Sequence, residues 1–131
     1  MAGYSGTPLI KKLGIKEGFR LWFHHAPTHY EALLGPLPLG VGAAQTDCDF
    51  IHAFYTERSS FSADVVQLMA AIKRDGMIWI SWPKKASKVP SDMSEDVVRA
   101  VALPLGLVDI KVCAVDEVWS GLKLVIRKEL R

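Results

Sequence analysis

Two apolar runs near the end of the chain, Val108 to Val115 and Leu122 to Ile126, flank the connection Asp116-Glu117-Val118-Trp119-Ser120-Gly121. A connection this short joins antiparallel neighbours, because a parallel return needs a much longer crossover. Three earlier runs, Phe19 to His24, Phe50 to Tyr55 and Met77 to Trp82, are each followed by a stretch of helical character. Strands that alternate with helices run parallel, with right-handed crossovers. The order β-α-β-α-β-α-β-β therefore predicts a three-layer α/β fold around a mixed sheet of about five strands, ending in an antiparallel hairpin.

Punctuation in the sequence supports these elements. Leu9 to Leu13 reads as a short turn of helix, and Thr28 to Leu34 as a short helix that ends near Gly35-Pro36. The stretch to Thr46, with Gly40 and Gly42, reads as a loop with room for a short extended piece. Phe61, Val65, Leu68, Met69 and Ile72 recur at helical spacing, with Ser60 or Ser62 as the expected cap. Asp64 falls in the first turn and Lys73 and Arg74 in the last, with Gly76 as a left-handed stop. Asp92 and Glu95 stand three apart like a capping pair, opening a helix through Val97, Val98 and Val101 that Pro104 and Gly106 close.

Composition excludes several classes. The 131 residues suit one domain, and neither a repeat nor a flexible linker divides them. Half are hydrophobic and 23% are charged, which excludes a disordered chain. Sixteen basic and fourteen acidic residues leave a formal charge of +2, too small to announce a nucleic-acid or membrane protein. Cys48 and Cys113 are too few for a disulfide framework and lie in apolar surroundings, so they read as reduced and buried. No signal peptide is visible, and the longest apolar stretch, Val97 to Val115, is broken by Arg99, Pro104, Asp109 and Lys111. The expectation is a cytoplasmic protein with no membrane contact.

The element order resembles the Rossmann-like fold of class I S-adenosylmethionine-dependent methyltransferases with its middle removed. The resemblance rests on Lys16-Glu17-Gly18 before the first strand, Arg74-Asp75-Gly76 before the third, and the closing hairpin. It covers most of the chain as topology. It implies that the first, second, third, fifth and fourth strands run side by side. The chain departs from that family where it matters most for the cofactor. A Gly-rich loop follows the first strand there, because only glycine lets the backbone approach the ligand closely. Here the place reads His24-His25-Ala26-Pro27-Thr28, and Pro27 has no backbone donor. An acidic residue also ends the next strand in that family, where it binds the ribose hydroxyls. None clearly does so here unless Gln45 to Asp47 serves.

At the level of residues the chain also resembles a family of small bacterial cytoplasmic proteins classed as a domain of unknown function. The likeness lies in Met1-Ala-Gly-Tyr-Ser-Gly-Thr-Pro-Leu9, Trp79-Ile-Ser-Trp-Pro-Lys-Lys85 and Val108-Asp-Ile-Lys-Val-Cys-Ala-Val-Asp-Glu-Val-Trp-Ser-Gly-Leu-Lys123. It spans essentially the full length and brings no activity or catalytic residue.

Three constellations deserve weighing. His24, His25, His29 and His52 all precede the middle of the chain, near Asp47 and Cys48. Imidazoles suit transition metals, and His24 could approach His52 across adjacent strands. No ligand spacing matches an established zinc pattern, and His24 and His25 point to opposite faces if both stay in the strand. Hydrogen-bonded core histidines are the favoured reading, with no metal. Trp79, Trp82 and Trp119 beside Lys84, Lys85 and Lys88 would suit a stacking platform for nucleic acid. Ordinary core packing is favoured there, with Ile78, Ile80 and Trp82 sharing one face and Trp79 and Ser81 the other. Asp116, Glu117, Ser120 and Lys123 crowd the hairpin, where turn formation is a plainer role for Asp116 than acid–base chemistry. No nucleophile elbow, phosphate loop, His-Glu-x-x-His or Cys-x-x-Cys is present.

Ligands of open α/β sheets collect beyond the carboxyl ends of the parallel strands. Those ends gather His25, Thr28, His29, Glu57, Arg58, Lys84 and Lys85, a polar and net basic set. The expectation is a non-enzymatic or degenerate Rossmann-like protein that binds a small anionic ligand or a protein partner, with self-association open and no cofactor. The alternative is a divergent enzyme that uses S-adenosylmethionine or a nucleotide.

Overall fold

The computed structural model describes residues 7–131, so the first six residues of the shared opening motif lie outside it. A strand covered on both faces must be apolar on both. Cys48–Phe54 (β3) satisfies this with every residue except Asp49 buried. Ile72–Pro83 (β4) does so from Ile78 onward. These two form the middle of the sheet, flanked by Arg20–His24 (β1), Gly42–Ala43 (β2), Leu107–Ala114 (β5) and Trp119–Ile126 (β6). The order is β2-β1-β3-β4-β6-β5. β1 to β4 are parallel, and β6 is antiparallel to both β4 and β5. The five long strands stand in the expected order, and the two-residue β2 adds an edge that the sequence marked only as a short extended piece.

Among the described residues four helices cover the sheet: Leu9–Leu13 (α1), Tyr30–Leu34 (α2), Arg58–Ala71 (α3) and Glu95–Ala102 (α4). Phe61, Val65 and Leu68 of α3 and Val98 and Ala102 of α4 pack with Ile51, Ile78, Ile80, Trp82, Leu122 and Leu124. On the other face, Leu13 of α1 and Tyr30 and Leu34 of α2 pack with Phe50, Phe54 and Trp79. The division of β4 between the two faces is the expected one. Among the described residues no helix is long and apolar enough to cross a membrane.

Several boundaries differ from expectation. Neither Ser60 nor Ser62 caps α3, because the helix begins at Arg58 as soon as the chain turns away from β3. Asp92 does that work from a distance, its carboxylate accepting the Arg58 amide at 2.6 Å. Gly76 is no helix stop. α3 passes into extended backbone at Ile72, and Lys73, Arg74 and Gly76 all lie in β4. Gly76 is required by space instead, since a Cβ there would stand 2.7 Å from Ile72 Cγ1. α4 is capped by Ser94, whose side chain accepts from the Val97 amide, rather than by an Asp92–Glu95 pair. Glu95 and Asp96 occupy its first turn, where their charge suits the helix dipole.

The hairpin carries another correction. Alternation along the hairpin predicts burial of Val112, Ala114, Leu124 and Ile126; Leu124 and Ile126 are buried, but Ala114 and Cys113 are half-buried and Val112 is 46% exposed. The pairing shifts between Asp109 and Lys111, so Leu107, Asp109, Val112 and Ala114 share the face of Leu122 and Leu124. Arg99 of α4 reaches Asp109 on this face at 2.8 Å. β5 is the edge strand of the sheet. Leu124→Ala should therefore lower stability by about 2–5 kcal/mol. Val112→Ala should change it by less than about 0.5 kcal/mol. Denaturant midpoints measure both, and equal shifts would contradict the edge position of β5.

Candidate functional site

β1, β3 and β4 end on the same side of the sheet, at His24, Phe54 and Pro83. His24 lies beside Ala53 in the register and His52 beside Phe23. His24 and His52 therefore point to opposite faces, and the expected approach between them does not occur. His25 leaves the strand with φ 57°, a left-handed conformation that histidine enters more readily than most residues. Its ring doubles back onto His24, with centroids 3.9 Å apart and planes 27° apart. The expected opposition of His24 and His25 is thus replaced by stacking.

Asp64 reaches this pair from α3. Its Oδ2 lies 3.2 Å from His24 Nε2 and accepts the Tyr55 hydroxyl at 2.9 Å. Burial pushes the Tyr55 phenol up, and the Asp64 hydrogen bond and charge add to this, so it stays a protonated donor. Beside the cluster a cleft of about 280 Å3 opens between His25, Phe54, Tyr55, Thr56, Ser60 and Trp119. His24, His25 and Asp64 are the described residues grouped closely enough to hold a metal ion.

The remaining rim residues divide. His29 Nε2 lies 2.8 Å from Asp116 Oδ2, and Lys84 Nζ donates to the Asp116 carbonyl at 2.8 Å. Asp116 Oδ1 accepts the amides of Val118 and Trp119, which is the turn role expected of it. Burial acts to raise the Asp116 pKa, but the His29 hydrogen bond and these amides outweigh it and hold it low. His29 and Lys84 therefore anchor the final hairpin to the rim. Thr28, Glu57, Arg58 and Lys85 are exposed. Among the described residues Arg58 and Lys85 form no ion pair. Only His25 of the expected set lines the cleft.

Sequence reasoning weighed His24 as a metal ligand and Trp119 as a stacking surface but favoured core roles for both, and it did not place Tyr55 or Asp64 at the cluster or the cleft beside it. Asp64 had a signal, since it stands between Phe61 and Leu68 at i+3 and i−4 on the buried stripe. A carboxylate there must find partners. Trp79 and Trp82 are core residues, with Trp79 Nε1 donating to the Leu13 carbonyl, so they offer no stacking platform. A second, larger cavity of about 540 Å3 follows the open edge of β1, lined by Leu21, Trp22, Phe23 and Leu37 among others.

A buried chain lies between these regions. His52 Nδ1 is 2.6 Å from the Tyr30 hydroxyl, and its Nε2 is 2.7 Å from Ser81 Oγ. The grouping resembles an activated serine, but all three residues are buried and none lines a described cavity. The favoured reading of core histidines holds for His52.

The chain matches no protein-family model, and no curated protein sequence matches it significantly. Among solved structures it is similar to an S-adenosylmethionine-dependent methyltransferase from Aquifex aeolicus. The TM-score is 0.65 and the identity 16%, over 90% of this chain and 87% of that one. It is also similar to magnesium protoporphyrin IX methyltransferase from Synechocystis PCC 6803, at TM-score 0.58 and 10% identity, over 92% and 74%. Fibrillarin from Aeropyrum pernix gives 0.56 and 15%, over 94% and 70%. The last two structures hold S-adenosylmethionine. The fold is accordingly the Rossmann-like fold of class I methyltransferases. Identities this low carry the fold and no residue role.

Burial lowers the His52 pKa from 6.5 to about 3. The unfolded chain therefore takes up a proton that the folded protein refuses. His52 supports the fold fully above pH 6.5, and that support fades as pH falls toward 3. Between about pH 6.5 and 5 the loss should be roughly 2 kcal/mol. Asp49 and Asp116, held below 3.8, contribute only further down. Denaturant titrations of the wild type and His52→Gln check this, and parallel pH profiles would exclude His52 as the cause.

Proposed function

We propose that this chain is a small-ligand-binding protein of methyltransferase-like fold that does not bind S-adenosylmethionine in the ordinary way. The observation that carries this reading is the β1–α2 connection. His25 holds a left-handed position with its bulky ring folded over His24, where a glycine loop would leave the backbone open. Two residues on, Pro27 offers no amide. The cleft beside it, at about 280 Å3, lies just under the roughly 300–1,000 Å3 of pockets for drug-sized ligands. It suits a small molecule rather than a whole nucleoside cofactor.

The ligand is anionic on this reading. Asp64 and Asp116 already have their partners, while the exposed Arg58 and Lys85, expected near the strand ends, form no ion pair among the described residues. Ser60 places the first turn of α3 against the cleft, and its dipole adds positive potential there. The fold likeness to proteins that hold S-adenosylmethionine favours a second reading, a divergent enzyme using that cofactor or a nucleotide.

Calorimetric titration with S-adenosylmethionine separates the two, and the expected result is no binding. A micromolar Kd would establish the second reading. Native mass spectrometry of the purified protein should show a retained acidic small molecule. Replacing Arg58 and Lys85 together by Ala should weaken its retention about tenfold or more, since each charged contact is worth roughly 1 kcal/mol or above. A ligand-free oligomer in the same spectrum would instead favour a purely self-associating subunit.

A further inference from the structure

We propose that His24, His25 and Asp64 form a divalent-metal site, best suited to zinc, whose open coordination position faces the cleft. This goes beyond the small-ligand reading and does not depend on it.

One ligand atom from each of the three residues lies within 4.8 Å of the other two. His24 Nε2 and Asp64 Oδ2 are 3.2 Å apart. Two ligands each about 2.1 Å from a tetrahedral ion stand roughly 3.4 Å apart, so this pair is already placed for coordination. His25, the exposed member, closes the remaining distance by rotation about its side-chain bonds. Two consecutive strand residues would hold their rings on opposite faces. The left-handed backbone at His25 is what brings both imidazoles to the side where Asp64 arrives.

The surroundings fit the same role. The Tyr55 hydroxyl donates to Asp64 Oδ2 and fixes its orientation, as outer hydrogen bonds do for metal-binding carboxylates. Trp22 packs against the His24 ring at 5.1 Å and shields one flank. The other flank is open, because His25 and Tyr55 line the cleft. Two imidazoles and one carboxylate select a borderline transition ion over calcium or magnesium, which take oxygen ligands. Three protein ligands leave one position of a tetrahedron vacant, the pattern of sites that bind an exogenous group. A dication with one carboxylate keeps a net positive charge, so that position favours a carboxylate or phosphate oxygen.

The test uses untagged full-length protein stripped with chelator and titrated with cobalt(II) and then zinc. The expected result is one equivalent of cobalt(II), with the visible absorption of a tetrahedral site and no thiolate charge-transfer band, displaced by zinc. Asp64→Asn keeps the shape of the side chain, and His25→Gln changes an exposed one, so both should fold with unchanged circular dichroism. Each should weaken zinc at least about tenfold, and Cys113→Ser should leave affinity unchanged. Absence of saturable binding would overturn the proposal. So would wild-type affinity in both Asp64→Asn and His25→Gln, or a thiolate band that Cys113→Ser removes. Retention of an anion by the metal-free protein is a separate readout, so a failed metal site and a failed small-ligand reading are told apart.

Discussion

The hydrogen-bonded chain of Tyr30, His52 and Ser81 is the polar thread in an otherwise apolar interior. It can run in either direction, and in both the imidazole is neutral. Burying any one of these groups alone would cost about 1–3 kcal/mol. Together they are satisfied, and no buried polar side-chain atom among the described residues lacks a partner. The chain ties three elements. Ser81 belongs to β4, His52 to β3, and Tyr30 opens α2. It also dictates a residue on a fourth: Gly121 of β6 lies beside Ser81, where a Cβ would stand 3.0 Å from Ser81 Oγ and 3.2 Å from Trp79. By fixing the start of α2, the chain sets where the segment from His24 to His29 must run. The candidate site hangs on that segment.

The order of the sheet was legible because it follows from local facts. Apolar runs separated by helices have to be parallel, and a short connection has to make a hairpin. Boundaries were less legible where one residue satisfies two patterns. Ile72 continues the stripe of Phe61, Val65 and Leu68, yet it is also the first buried residue of β4. Gly76 follows basic residues as a helix stop would, but its smallness serves close packing against Ile72. Caps were misassigned for a related reason: Asp92 is close in sequence to α4 and close in space to α3. Val112 shows the limit of alternation as a guide to burial. Its face was legible, but its exposure goes with the edge position of β5.

Sequence reasoning placed polar residues at the carboxyl ends of the strands but not their contacts with one another. The carboxyl ends of β1 and β3 do carry the cleft, and His25 does line it. What the sequence leaves hidden is the conformation at His25. A strand reading places His24 and His25 apart, and only a left-handed backbone unites them. Lys84 and His29 were expected near strand ends because of their polarity, but their contacts with Asp116 were not. Their partner, Asp116, is eighty-seven positions from His29, and such a separation leaves no periodic trace.

The first crossover of the sheet is short. β2 pairs with β1 only at Arg20 and Leu21, and α2 has five residues. The β1 side of the crevice is therefore thinly walled, and what remains there is the apolar groove along Leu21, Trp22 and Phe23. The other side is built solidly. α3 is fourteen residues long and presents Ser60 and Asp64. β6 begins at Trp119, held in place by the Asp116 turn. Polar groups therefore converge between β3, α3, the hairpin and the two histidines at the end of β1. A chain with the sheet of a methyltransferase but this distribution of walls has a cleft over Tyr55 and Trp119, apart from the larger apolar groove along β1.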